Sequence, residues 1–159
     1  MLRILARVVA VGTFAVLAAL PMTASAAGGG GGGNNLMTVV VGSPIALQNR
    51  LLIVVPVTVT CVDTITIDPN TQPPGGVEVI VEEANRTTVS HGMGGASLFS
   101  CSPTPQTFAI QVTPDIGASP SPPFHRGRAI VMASGVMCDF NFPQTCDFGS
   151  TAWQTVRLG

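Results

Sequence analysis

Apolar and polar residues alternate with a period of two along most of the chain after residue 36, which is the spacing of β-strands that bury one face. In residues 51–62 one face is apolar and the other carries threonine: Val55, Val57, Val59 and Cys61 against Thr58 and Thr60. Pro56 removes a backbone donor from this segment. We therefore expect the strand to be bulged at Pro56 or to lie at a sheet edge.

The same period predicts several further strands separated by turn sequences. They cover residues 37–41, 64–67, 77–82, 87–91, 97–101, 107–113, 128–134 and 151–158. Residues 68–76 and 114–123 are dense in turn-forming residues, and the glycines of 91–95 predict another loop. No segment after residue 27 keeps a helical period over three turns. The pattern predicts an all-β fold, an Ig-like antiparallel β-sandwich of about seven strands.

The N-terminus has the three parts of a signal peptide. Arg3 and Arg7 precede an uncharged run of 13 residues, 8–20, and Pro21 and Ala24-Ser25-Ala26 follow it. The run is shorter than the roughly 20 residues that a spanning helix needs. We predict a signal peptide at 1–26, a glycine-rich flexible linker at 27–36 and one domain at 37–159, secreted or periplasmic and without a membrane span; an uncleaved anchor is the alternative.

Four cysteines follow the predicted cleavage site: Cys61, Cys101, Cys138 and Cys146. An even number in an exported chain predicts two disulfides, and the sequence alone allows three pairings. We favour Cys61–Cys101, which would join two predicted strands. The other pair, Cys138–Cys146, is close in sequence around a proline-containing turn.

Metal sites are less well supported than disulfides. The cysteines lack the close ligand pairs typical of structural zinc. His91 with Met93, Met132 and Met137 could suggest a soft copper site, but methionine more often fills a core. We predict no metal and no cofactor.

Charge is sparse and excludes one class of partner. The chain after residue 26 has five arginines, eight carboxylates and no lysine, and the arginines form no cluster in the sequence. Nucleic-acid binding requires a concentrated positive surface that neutralises phosphates. The sequence therefore predicts no nucleic-acid partner.

Catalytic residue sets are also missing from the sequence. Only His91 and His125 could supply an imidazole, and Ser90, next to His91, would point to the opposite face of a strand. No G-x-S-x-G motif occurs. Glu78 and Glu82 would share a face about 13 Å apart, too far for a glycosidase pair. We predict that the protein is not an enzyme.

The remaining candidate is a binding loop. Phe140, Phe142, Pro143 and Phe148 lie in or beside the segment between Cys138 and Cys146. A short disulfide-braced loop that exposes aromatic side chains is pre-organised for binding. The alternative is that these side chains fold inward and cap the sandwich.

The chain resembles the small exported Ig-like domains of GC-rich bacteria. The similarity is carried by the following features: the strand ending at Cys61, Cys101 with the strand 107–113, residues 124–129, the Cys138 and Cys146 pair, and residues 155–158. The resemblance implies a fold and a compartment without an activity. The neocarzinostatin type differs in having only local disulfides, and the subtilisin-inhibitor type in having helices.

We therefore expect an exported, non-catalytic interaction module that binds an unknown protein or envelope component. A structural envelope or matrix constituent is the main alternative. A small secreted hydrolase that uses His91 or His125, or a protease inhibitor, is less well supported.

The first testable consequence concerns processing. Protein recovered from a secreting host should begin near Ala27, because signal peptidase reads small residues at the positions just before the cut. N-terminal sequencing and intact mass check this. A chain that retains residues 1–26 in the membrane fraction would contradict it.

Overall fold

The structure is a computed structural model that describes residues 36–117, 119–140 and 145–159. The predicted signal peptide, residues 1–26, and residues 27–35 of the predicted linker lie outside the described residues. Within the described residues the secondary structure is all β, as the sequence predicts, with two disulfides. None of these residues belongs to a helix that is long and apolar enough to cross a membrane.

The described residues form eleven strands. Their bounds are β1 Met37–Val41, β2 Ala46–Asn49, β3 Leu52–Cys61, β4 Ile65–Thr66, β5 Gly75–Asn85, β6 Thr88–Leu98, β7 Ser100–Cys101, β8 Gln106–Pro114, β9 Gly127–Asp139, β10 Thr145–Ser150 and β11 Gln154–Leu158. Seven of them pair in the order β1-β3-β8-β6-β5-β9-β10, while β2 also pairs with β3 and β11 with β9. Strands β4 and β7 form a separate pair.

This sheet folds over on itself into two layers. One layer contains β1, β2, β3 and β8, the other contains β5, β9, β10 and β11, and β6 connects them. At the far side β1 packs back onto β9 and β10, where a Cβ at Gly149 would overlap the Met37 carbonyl oxygen. The architecture is therefore sandwich-like.

Valine-rich inner faces fill the space between the layers. The face of β3 predicted from alternation is buried, and Val77, Val79 and Val81 of β5 oppose it in the same core. Removing this apolar surface from water is the main stabilising contribution, at about 25 cal/mol per Å². The predicted inner residues of β3 are thus confirmed, and β5 buries alternate residues of the predicted strand 77–82.

The expectation for Pro56 was wrong. Strand β3 has neighbours on both sides, and Pro56 pairs in unbroken register with Ala109 of β8. The Pro56 carbonyl accepts a hydrogen bond from the Gly42 amide at 2.7 Å. The N–H and the C=O of a strand residue point to the same side, so the N–H that proline lacks would also face Gly42. That side is where β1 ends and β2 begins, and no ladder donor is needed there.

Residues 91–95 are a strand and not the predicted loop. They form the middle of β6, whose inward positions include Gly92 and Gly94. A Cβ at Gly94 would overlap the carbonyl oxygen of Gln111, and one at Gly92 would overlap that of Thr113. Glycine is needed at these positions because the backbone of β8 lies directly against β6. Glycines in a loop and glycines in a closely packed strand look alike in the local sequence, which is why the sequence predicts a loop.

Three other strands also differ in detail from the predicted pattern. Strand β9 extends five residues beyond the predicted segment 128–134, and β2 and β10 were not predicted. Strands β10 and β11 follow the same edge of β9, and between them Thr151 donates its amide to the Ala133 carbonyl at 2.8 Å. The Thr151 hydroxyl in turn accepts from the Ala133 amide at 3.0 Å.

Both disulfides join the cysteines that the sequence favoured. Cys61–Cys101 connects the end of β3 to β7, and Cys138–Cys146 links directly opposed residues of β9 and β10. In the chain-entropy model the longer loop contributes about 4 kcal/mol and the shorter about 2.5 kcal/mol. Two disulfides also indicate an oxidising environment.

The contact between β6 and β8 can be tested with one methyl group. Gly94→Ala should lower the free energy of unfolding by about 1–3 kcal/mol, because the added Cβ has no space between the two backbones. Urea denaturation measures the change.

Gly76→Ala is the matched control, since its Cβ would lie 3.9 Å from the Ala96 carbonyl oxygen. It should change stability by no more than about 0.5 kcal/mol. Equal midpoints for the two variants would contradict the close approach of β6 and β8.

Candidate interaction surface

Two of the four predicted loop residues lie within the described structure. Phe140, which follows β9, is 43% exposed, and Phe148 on β10 is 45% exposed. Neither side chain is buried in the core, contrary to the inward-folding alternative. Phe142 and Pro143 lie outside the described residues.

Phe148 belongs to a larger apolar surface, here called the outer face, on the solvent side of β6, β5, β9 and β10. Outward side chains alternate with the buried ones, and strand register places Ile80 between Met93 and Met132, and Val136 opposite Phe148. Ile130 and Val89 continue the surface toward the β5–β6 turn. Met93 is 50% exposed and Val89 58%.

Two shallow depressions flank the centre of the outer face. One, of about 400 Å³, lies beside Met93 and Glu78 and runs along residues 94–97. The other, of about 330 Å³, is lined by Ala84, Val89 and Ile130, with Glu82 and Arg128 at its margin. Each is large enough to accept an apolar side chain from a partner.

A polar cluster connects three segments at the end of the sandwich away from the disulfides. The Glu83 side chain is buried, and its Oε2 accepts the His125 backbone amide at 2.7 Å. Arg50 donates from Nη2 to His125 Nε2 at 2.7 Å, because a guanidinium can only donate. The imidazole proton therefore lies on Nδ1, which is 3.9 Å from Glu83 Oε1.

This cluster does not have the geometry of a nucleophilic site. Ser90 pairs in register with Glu83, yet its hydroxyl is buried and donates to the Pro123 carbonyl at 3.1 Å. The His125 nitrogen that would act as a base already accepts from Arg50. We interpret the contacts of Glu83 as fixing the loop 115–126 onto the sandwich.

The other residues considered for chemistry are dispersed. His91 lies outward while Ser90 is buried, as alternation predicts. Met137 is buried in the core, on the opposite side of β9 from Met132. Among the described residues, no three histidines, cysteines or carboxylates lie close enough to hold a metal ion.

The signal for the outer face was present in the sequence but open to two interpretations. Ile80, Ile130, Met132 and Val136 occupy the positions between buried residues, where a one-sided strand has polar side chains. Apolar residues on both faces also occur in strands that are covered on both sides. The strand order decides between these cases, since nothing in the described chain covers β5 and β9 from outside.

Asp147 is a buried carboxyl on the inner side of β10. Burial raises its pKa above the ordinary value of 3.8, and the nearby negative charge of Asp63 raises it further. Both effects disfavour the ionised form, so the charged side chain destabilises the fold at neutral pH.

Asp147→Asn should increase the free energy of unfolding at pH 7. With a raised folded-state pKa, the native state binds the proton more tightly, so the wild type loses stability as pH rises from about 3.8 through the higher folded value. The variant should lack this loss. Urea unfolding between about pH 3 and pH 7 measures it.

Asp63→Asn is the comparison variant, because it removes only the smaller of the two causes that raise the pKa of Asp147. It should reduce the loss of folding stability with rising pH without abolishing it. A wild type that gains stability over this pH interval relative to Asp147→Asn would contradict the assignment.

The comparisons with known proteins add no assignment to this geometry. The chain matches no protein-family model, and neither curated proteins nor solved structures give a match.

Proposed function

We propose that this protein is an exported, non-catalytic interaction module that binds an apolar surface of a protein partner through its outer face. The observation that carries the proposal is the exposure of Met93, Val89 and Phe148 on strands whose other face is core. Single surface apolar residues need no explanation, but several apolar residues on one sheet face, interspersed here with Glu78, Glu82 and His91, have the mixed composition of an interaction site.

The chemistry of the outer face suits protein recognition. Methionine adapts its shape to a partner, and aromatic side chains contribute much of the binding energy at interfaces. The depressions on either side of Ile80 offer pockets for a partner's side chains. The sheet keeps these residues in place before binding, so little ordering entropy is lost.

Export and an Ig-like identity are parts of the same proposal. Two disulfides support an oxidising compartment, and the sequence of residues 1–26 supports a secretory signal. The pairing of β1 with β3 and β8 in one layer, and of β5 with β9 and β10 in the other, supports the Ig-like assignment. Ig domains divide strands A, B and E from strands C, F and G in this way.

The experiment replaces exposed apolar residues of the outer face with polar ones of similar β-propensity. Exported protein carrying Val89→Thr, Met93→Gln and Phe148→Thr should fold normally and retain a partner from envelope and culture fractions at least about tenfold more weakly, a change of about 1.4 kcal/mol. Quantitative pull-down and binding to the purified partner measure this.

Leu51→Gln, Val62→Thr and Phe99→Thr form the matched control, because they remove three exposed apolar side chains at the ends of the sandwich. The control should bind the partner as the wild type does. Equal loss in both triple variants, or full binding by the outer-face variant, would show that the outer face is not the binding site.

A further inference from the structure

The fold separates charge along the length of the sandwich. One end, here called the arginine end, consists of the β2–β3 turn, the β5–β6 turn, the 115–126 loop with the start of β9, and the end of β11. It holds all arginines of the described residues: Arg50, Arg86, Arg126, Arg128 and Arg157. Glu82, Glu83 and Asp115 lie at the same end, which leaves a formal charge of +2.

The opposite end, here called the disulfide end, has the opposite sign. It consists of the β3–β4 connection, the paired ends of β9 and β10 and the neighbouring strand ends, which carry both disulfides. Asp63, Asp68, Asp139 and Asp147 lie here, with Glu78 in the same half of β5, and the described residues place no arginine among them. The formal charge of this half is −5.

The two ends do not neutralise each other within one molecule. Strand β5, of 11 residues, spans about 33 Å at the rise of a β-strand. The Debye length at physiological ionic strength is about 8 Å, so each end acts on its surroundings as a separate charge.

At each end like charges are crowded. Arg128 and Arg157 are directly opposed in the β9–β11 register, an arrangement that destabilises an isolated sheet. The four arginines 86, 126, 128 and 157 are exposed and form no ion pair with a carboxylate of the described residues. At the disulfide end, Asp63 raises the pKa of Asp147. A partner of opposite charge would reduce the repulsion between like charges at each end.

Each end also exposes apolar side chains that a partner could cover. At the arginine end Ile116 is 89% exposed and Leu51 60%, and at the disulfide end Val62, Phe99 and Phe140 are exposed. An apolar centre with charge around it is the usual composition of a specific protein interface.

We propose that copies of this protein associate head to tail, with the arginine end of one copy seated on the disulfide end of the next. A second copy of the chain complements the charge of either end, because every molecule carries one positive and one negative end. The contact joins two different surfaces, so it leaves one free end of each kind and extends into a chain or a ring rather than a two-fold dimer. The residues that the test below changes at the two ends, Arg86, Arg126 and Asp63, differ from those that the outer-face variant changes.

The test is charge exchange between the ends, made in protein as exported by a secreting host. One variant, Arg86→Glu with Arg126→Glu, changes the formal charge of the arginine end from +2 to −2, and the other, Asp63→Arg with Thr66→Arg, lowers the negative charge of the disulfide half from −5 to −2. Sedimentation velocity of the wild type at about 0.02 M salt and up to about 1 mM protein should show a mass that rises with concentration. At about 0.5 M salt the association constant should fall by about tenfold or more.

The Arg86/Arg126 variant should remain a monomer at low salt, and the Asp63/Thr66 variant, whose disulfide half keeps a formal charge of −2, should associate more weakly than the wild type. A mixture of the two should associate again, because the unchanged arginine end of one variant meets the unchanged disulfide end of the other. Ala109→Glu with Gln111→Glu, on the exposed side of β8, adds negative charge between the ends and should associate as the wild type does. Thermal melts verify that all variants fold. The salt dependence of the wild type stands as a test even if one variant does not fold.

Four results would overturn the proposal. A wild type that stays monomeric over this range excludes self-association. A salt-insensitive closed dimer, or variants that do not associate when mixed, excludes pairing of the ends. Binding of the wild type to vesicles rich in phosphatidylglycerol without self-association would assign the arginine end to an anionic surface instead. None of these results affects binding through the outer face, which its own triple variant tests.

Discussion

The close contact between the backbones of β6 and β8 is the constraint on which the rest of the fold depends. Strand β6 is the only link in the pairing order between the two layers of described strands, and it makes this link with glycines on its inner side. Without Cβ atoms at Gly92 and Gly94, β8 can lie against β6 while β6 continues to pair with β5 along 11 residues. The sheet then turns over and encloses the valine faces of β3 and β5.

Closing the sandwich in this way determines what remains exposed. The inner faces of β5 and β9 are covered by the opposite layer, and their outer faces have no covering element among the described residues. Apolar residues at Ile80, Met132 and Val136 therefore lie on a surface, where in a sheet covered on both sides they would be core. Exposed apolar residues gathered on one face are a feature of interaction sites.

The same closure brings distant charges together. Arg50, Arg86 and Arg157 are far apart in the sequence, but antiparallel strands of similar length return every second connection to the same end. The carboxylates of the β3–β4 connection and the β9–β10 hairpin collect at the other end for the same reason. The arginines are therefore dispersed along the chain and yet lie at one end of the fold.

The sequence by itself determined the strands with clear alternation, the buried faces of β3 and β5 and the all-β class, because these follow from local periodicity. It favoured one of three possible disulfide pairings, and the structure decided that pairing. It misjudged Pro56 and residues 91–95, whose roles depend on which strand lies beside them. It could not locate the outer face, the Arg50–His125–Glu83 cluster or the separation of charge. Each of these is set by contacts between residues remote in the chain, so only the tertiary structure decided them.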